Sequence, residues 1–274
     1  MKIGIVGQGY VGTAVKTVFE KHYETNTFDL NGKCTCETLH ELVNNSDVVF
    51  VCVPTPMNRD GSCNLDIVRG VVRDINETVN AGQDGKIVAI KSTIPPGTTN
   101  QLNKECDNIT VIFNPEFLTE ANFIEDFKNQ NRIIIGGQRP ATTKLRQVYS
   151  LVFPDATIVK TGSITAEMVK YFTNTFLATK VSFANEMKIV CDNFDIDYDK
   201  VVEYATYDNR LGKSHWAVPG PDGKLGFGGS CFPKDINALA HICRKMEIPA
   251  NVLFSAIDTN LMVRPEKDWE ELKG

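Results

Sequence analysis

The sequence predicts an α/β architecture, a doubly wound and mostly parallel sheet followed by an all-helical domain. Three observations carry this. Short apolar runs, most of them rich in Val and Ile, alternate with polar helical stretches through residues 1–162, as a parallel sheet covered on both faces requires. The first run leads straight into three spaced glycines and a helical pattern. From residue 163 the runs cease and the apolar spacing becomes that of helices. The expected boundaries are 1–162 for the sheet domain, 163–264 for the helical domain and 265–274 for a C-terminal tail.

In chain order, "KIGIVG" (2–7) is the first strand, followed by Gly7, Gly9 and Gly12 of "GQGYVG" and a helix spaced on Val15, Val18 and Phe19. In this Rossmann-type arrangement Gly7 permits a tight turn and Gly9 lets the backbone approach a pyrophosphate. Gly12 lets helix and strand pack closely, with the phosphates at the helix N-terminus. The next strand, "ETNTFD" (24–29), ends in Asp29, 22 residues after Gly7. A carboxylate there accepts hydrogen bonds from an adenosine ribose, which favours NAD over NADP. Further strands are expected at 47–53, 86–92, 110–114, 132–137 and 156–162. Three of the strand ends read "VPTPMNRDG" (53–61), "STIPPGTT" (92–99) and "NPEFLTEAN" (114–122). Loops at the carboxyl ends of such strands converge on one crevice. Proline and glycine stop strands, but they do not account for the paired carboxylates Glu116 and Glu120, or for Thr93 just past a buried strand.

The second half opens with one helix over 163–194, carrying Met168, Phe172, Phe176 and Val181 near one stripe and expected to be buried nearly all round. Lys170 and Asn174 lie one turn apart on it, so an amine and an amide share a face. After a helix near 197–207, the glycine-rich stretch 209–231 excludes regular structure. "FPKDINALAHICRKM" then starts a helix, with Pro233 suited to its first turn. Cys231 is therefore expected at or just before a helix N-terminus, beside Lys234, two features that favour a thiolate and a nucleophilic role. The helix resumes after Pro249, and Ile236, Leu239, Ile242, Leu253, Ile257 and Leu261 form an apolar stripe expected to lie against a second copy, as a homodimer.

At 274 residues with a net charge of -5, the chain has no basic face for nucleic acid. No apolar run reaches bilayer-spanning length and no signal segment opens the sequence, so a cytoplasmic protein with no membrane contact is expected. The eight cysteines lie mostly in apolar segments with no second pair at zinc-site spacing, and no metal is expected.

Taken in order, "GxGYVG", "VPTP", "STIPPGTT", "NPEFLTE", "EMVKYFTNTFLATKVSFANE", "NRLG" and "GFGGSCFPKD" give the chain its resemblance to the UDP-glucose dehydrogenase family, whose relatives also oxidise GDP-mannose and UDP-N-acetylated sugars. The resemblance implies an NAD-dependent four-electron oxidation of a nucleotide-sugar C6 alcohol to the uronic acid, UDP-glucose being the first substrate to expect. It implies Cys231 as the nucleophile forming a thiohemiacetal and then a thioester. Lys170 and Asn174 would hold the C6 oxygen, Asp235 would orient water, and Thr93 and Glu120 would complete that network. Cofactor contacts would come from Gly7, Gly9, Tyr10, Val11, Gly12, Asp29, Pro54, Thr55, Ser92, Thr93 and Lys234. The sugar would meet Glu116, Phe117, Leu118, Lys170, Asn174 and Gly228, with Arg210 reaching in from a neighbouring subunit. Two departures stand out. The family normally continues into a second Rossmann-like domain that grips the nucleotide, whereas this sequence stops at Gly274, a short form by that comparison. "SHWAVPGPDGKL" is also longer and richer in glycine and proline than the usual stretch. Two alternatives are a two-electron dehydrogenase of the beta-hydroxyacid type, which has no use for "GFGGSCFPKD", and a non-catalytic NAD-binding remnant.

Overall fold

A computed structural model of the chain describes residues 1–32, 34–79 and 85–271, so the last three residues of the expected tail lie outside the described residues. The chain divides into two compact units, Met1–Thr55 with Asn64–Lys170, and Pro56–Cys63 with Tyr171–Gly274.

The first unit is built from β1 (Lys2–Val6), α1 (Tyr10–Phe19), β2 (Glu24–Phe28), α2 (Leu39–Asn44), β3 (Val48–Val51), α3 (Asp66–Thr78), β4 (Lys86–Ile90), α4 (Thr98–Glu105), β5 (Ile109–Phe113), α5 (Phe123–Lys128), β6 (Arg132–Gly136), α6 (Ala141–Val152) and β7 (Thr157–Thr161). The seven strands order as β2-β1-β3-β4-β5-β6-β7, and every neighbouring pair is parallel except β5 and β6, which meet antiparallel at Phe113 and Gly136. The unbroken apolar runs follow from helices covering both faces. Val48 and Phe50 point into one core with Ile3, Ile5, Phe19 and Tyr149, while Val49 and Val51 point into the other with Leu42, Val72 and Ile90. Each such fully buried side chain contributes roughly 1.5–3 kcal/mol. Because β2 and β3 flank β1 on opposite sides, the strand order reverses beside β1, the place at which sheets of this kind bind ligands beyond the carboxyl ends of their strands.

In the second unit, α7 (Ser163–Asn193) arrives from the first, and α8 (Tyr198–Ala205), α9 (Phe232–Lys245) and α10 (Asn251–Val263) follow, ending in a short 3-10 turn at Asp268–Glu270. One expectation about burial is corrected here. Phe172 and Phe176 are 70% and 60% exposed and Met168 is exposed too, so α7 is not buried all round. Its buried face carries small and polar residues such as Asn174, Thr175, Ala178 and Ser182, whose hydroxyl donates to Ala256 O at 2.7 Å. Small residues let helix backbones approach closely, and of the bulky aromatics Phe172 and Phe176 stay outside while Tyr171 is fully buried. Of the stripe on α9 and α10, Ile236 and Ile257 are buried in a core with Ala178, Phe227 and Ala240, and Leu253 and Leu261 pack against it. Ile236 and Ile257 are therefore spent within their own unit, while Leu239 and Ile242 of the stripe are half-buried.

Candidate functional site

In the first unit the glycine loop between β1 and α1 is shaped by close backbone approach. Gly7 has φ +90°, and a Cβ there would stand 2.5 Å from Cys52 O. A Cβ on Gly12 would stand 1.8 Å from Gly7 O, so neither position can carry a side chain. Gly9, the N-cap of α1, is different: a Cβ there meets no protein atom within 4 Å. Space is thus open in front of the amides of a helix N-terminus, which suits a pyrophosphate. Asp29 follows β2, and its carboxylate accepts from Gln8 N at 2.6 Å and Asn31 N at 2.9 Å, which fixes it beside the loop. These residues fit a dinucleotide. Tyr10 is exposed and edge-on to Phe123 at 5.2 Å, and Val11 is half-buried.

The other strand ends of this unit lie on the same edge. Past β3, Pro54 is exposed and Thr55 buried; past β4, Thr93 is buried and Ser92 Oγ donates to Val53 O at 2.6 Å, lacing the two ends together. Past β5, the expected carboxylate pair separates. Glu116 is enclosed and accepts from Lys170 Nζ through Oε1 at 2.9 Å and through its carbonyl at 2.7 Å, while Oε2 accepts from Leu118 N at 2.6 Å. Glu120, beyond the turn at Thr119, is exposed. The Phe117 ring lies 4.1 Å from the Arg132 guanidinium and 5.5 Å from Lys170 Nζ.

In the second unit Cys231 is the N-cap of α9, its carbonyl accepting from Asp235 N at 2.9 Å, with Pro233 in the first turn as the sequence requires. Asp235 is buried one turn on. Its Oδ2 accepts from Asn174 Nδ2 at 2.6 Å, and its Oδ1 accepts from Lys234. Burial works against the charge on Lys234, but the Asp235 carboxylate outweighs it and holds the ammonium above its ordinary pKa. Arg210 is exposed and forked onto Asp208 of its own chain, at 2.5–3.0 Å. Gly228 lies flat on a guanidinium, since a Cβ there would come 2.4 Å from Arg264 Nη2.

Several residues with structural weight escaped the sequence reading. Lys91, closing the apolar run of β4, is buried and donates to Asn114 O at 3.2 Å and Oδ1 at 3.1 Å; burial lowers its pKa to about 8. A lysine inside "KIVAIKS" was the visible signal. Glu167 is fully buried, where it accepts from Gly97 N at 2.6 Å, Thr99 N at 2.8 Å and Thr99 Oγ1 at 2.6 Å, satisfying the start of α4. Arg264, Asn260 and Asn185 gather around the glycine-rich loop, with no signal beyond polar residues in a helical pattern. Among the described residues, no three His, Cys, Asp or Glu are grouped to hold a metal, and no helix is long and apolar enough to cross a membrane.

Residues 17–153 match the NAD binding domain of the UDP-glucose/GDP-mannose dehydrogenase family, and residues 164–261 match its central domain. A UDP-glucose 6-dehydrogenase of Bacillus subtilis is 30% identical over 94% of this chain and 62% of its own length. That of Rickettsia bellii is 36% identical over 81% of this chain and 50% of its own. The chain thus spans between half and two thirds of the length of these curated relatives. A UDP-glucose dehydrogenase structure from Pyrobaculum islandicum superposes with a TM-score of 0.86 at 29% identity, covering 95% of this chain and 68% of that one.

Proposed function

The chain belongs to the UDP-glucose/GDP-mannose dehydrogenase family, and from that premise we propose that it oxidises the C6 alcohol of a nucleotide sugar, UDP-glucose in the first instance, to the carboxylate. NAD+ supplies the hydride acceptor for each of two successive two-electron oxidations. The observation that carries the reading is Cys231 at the N-cap of α9, one turn from an Asp235 held by Asn174 and Lys234.

The first oxidation removes a hydride from C6 and the hydroxyl proton, leaving an aldehyde. The Cys231 thiolate adds to the aldehyde carbon, forming a C–S bond and an oxyanion that takes up a proton as a thiohemiacetal. Loss of a second hydride and that proton gives a thioester. Water then attacks the same carbon, the C–S bond breaks, and the carboxylate leaves with the thiol restored. Lys170 and Asn174 are assigned the developing negative charge on the C6 oxygen, as an ammonium and an amide donor suit. Asp235 is assigned the hydrolytic water, with Thr93 and Glu120 in supporting roles. Glu116 is assigned the positioning of Lys170, because both its carbonyl and its carboxylate accept from that ammonium. Gly7, Gly9, Gly12 and Asp29 are assigned the dinucleotide. The reaction belongs in a cytoplasmic setting, where NAD+ and nucleotide sugars meet.

The test is stoichiometry: NADH formed per sugar consumed, with UDP-glucose and GDP-mannose offered to wild type and Cys231→Ser. Two NADH per sugar, stalled in the variant, supports the thioester route. A single NADH per sugar in both proteins would support the two-electron alternative instead.

A further inference from the structure

The loop that ends in Cys231 has few side chains of its own, and its backbone is held at Gly226 and Phe227 by side chains from elsewhere in the second unit. Gly226 N donates to Asn185 Oδ1 at 3.1 Å. Phe227 is bracketed by a single amide, its N donating to Asn260 Oδ1 at 2.7 Å and its carbonyl accepting from Asn260 Nδ2 at 3.0 Å. Gly228 then rests on Arg264, so closely that no side chain fits between them. Arg264 is only 3% exposed, and it faces two carboxylates. Nε and Nη2 donate to Asp268 at 2.8 and 2.7 Å, and Nη1 pairs with Asp222 at 2.8 Å. Asp222 belongs to the glycine-rich loop itself, and Lys224 of that loop also reaches Asp268 at 2.5 Å.

We propose that Arg264 is a positioning residue for Cys231: its guanidinium joins the loop to the end of α10 and is the platform on which Gly228 is pressed, three residues before the thiol. A planar fork satisfies two carboxylates while presenting a flat face to a backbone, which neither lysine nor a neutral side chain does. The two asparagines set the height of the loop, and Arg264 sets its lateral place. This inference rests on the assignment of Cys231 as the nucleophile.

Arg264→Lys and Asp222→Asn test it in the full chain. Asp222 is a half-exposed partner, so its neutral variant keeps the experiment readable should Arg264→Lys fold poorly. Hydrogen exchange is followed in peptides covering 224–232 and 236–245. Iodoacetamide labelling of Cys231 is compared with that of Cys34 in the first unit, and kcat and KM are measured with UDP-glucose and NAD+. Exchange in 224–232 should accelerate about tenfold while 236–245 stays as in wild type, the mark of local opening. Cys231 labelling should rise at least about threefold relative to Cys34. The kcat should fall roughly ten- to hundredfold with KM for NAD+ unmoved, the scale on which a displaced reacting group acts; Asp222→Asn should show the same pattern at smaller size. Unchanged loop exchange and labelling in both variants would overturn the proposal. So would exchange rising equally in 236–245, which marks general destabilisation, or a loosened loop with kcat intact. If Cys231→Ser still yields two NADH per sugar, the nucleophile assignment fails and the positioning role with it, whereas the exchange and labelling results report on the clasp independently of turnover.

Discussion

The glycine loop gives the sharpest separable prediction, because Gly9 and Gly12 lie three residues apart and differ in what a methyl group would meet. Gly9→Ala places a Cβ where no protein atom lies within 4 Å, at a φ of -70° that alanine adopts readily. As an N-cap change from glycine it should cost about 1 kcal/mol of folding stability or less. The same methyl occupies the space through which a pyrophosphate would approach the α1 amides. Losing one hydrogen bond to a charged group costs about 1.5–3 kcal/mol, so NAD+ affinity should weaken roughly ten- to hundredfold. Gly12→Ala reverses the balance. Its Cβ would stand 1.8 Å from Gly7 O, whereas ordinary contact begins at 3.4 Å, so helix and strand must separate by roughly 1.6 Å. Overpacking of that kind costs about 1–3 kcal/mol or more. Urea unfolding and NAD+ titration by isothermal calorimetry on the two variants read both quantities. If Gly9→Ala binds NAD+ like wild type, the space over Gly9 is not where the pyrophosphate lies, and the assignment of the loop is wrong.

Other consequences concern buried polar groups. The Lys91 pKa is lowered from 10.5 to about 8 by burial, so between those values the unfolded chain holds more protons than the folded one and stability rises with pH through that window. Urea midpoints of wild type and Lys91→Met from pH 7.5 to 10 should show the wild-type protein gaining relative to the variant as pH rises; parallel profiles would show that Lys91 is not strained by burial. Asn174→Leu removes the donor to the buried Asp235 carboxylate, which should cost about 1–3 kcal/mol by chemical denaturation; an unchanged midpoint would mean that Lys234 alone satisfies Asp235. Arg210→Ala should leave the unfolding midpoint unchanged, since its pair with Asp208 is exposed to solvent, while KM for the sugar rises if Arg210 serves a neighbouring subunit. An unchanged KM would remove Arg210 from the substrate contacts.

The elements of this protein were legible because their signals are local. Apolar runs between polar stretches marked most of the seven strands, though not the polar β2, and the glycine spacing placed the loop before α1. The run Cys231, Phe232, Pro233, Lys234, Asp235 marked the start of α9 at or just after Cys231, which the structure makes its N-cap. Partnerships were not legible, because they join residues brought together only by the fold. Glu116 meets Lys170 across 54 positions and Asn174 meets Asp235 across 61, and no periodicity encodes either contact. The equal spacing that made Glu116 and Glu120 look like a pair said nothing of the turn that sends one inward and the other to solvent. Hydrophobicity likewise could not choose the buried face of α7, since close helix packing selected its small residues over its phenylalanines. By itself, then, the sequence determined the order and kind of the elements and the chemistry carried at their ends. The tertiary structure alone decided which charges neutralise one another, which face of α7 is buried, and which buried arginine lies against the loop that carries the thiol, because each depends on the closure of long loops that neighbouring residues do not specify.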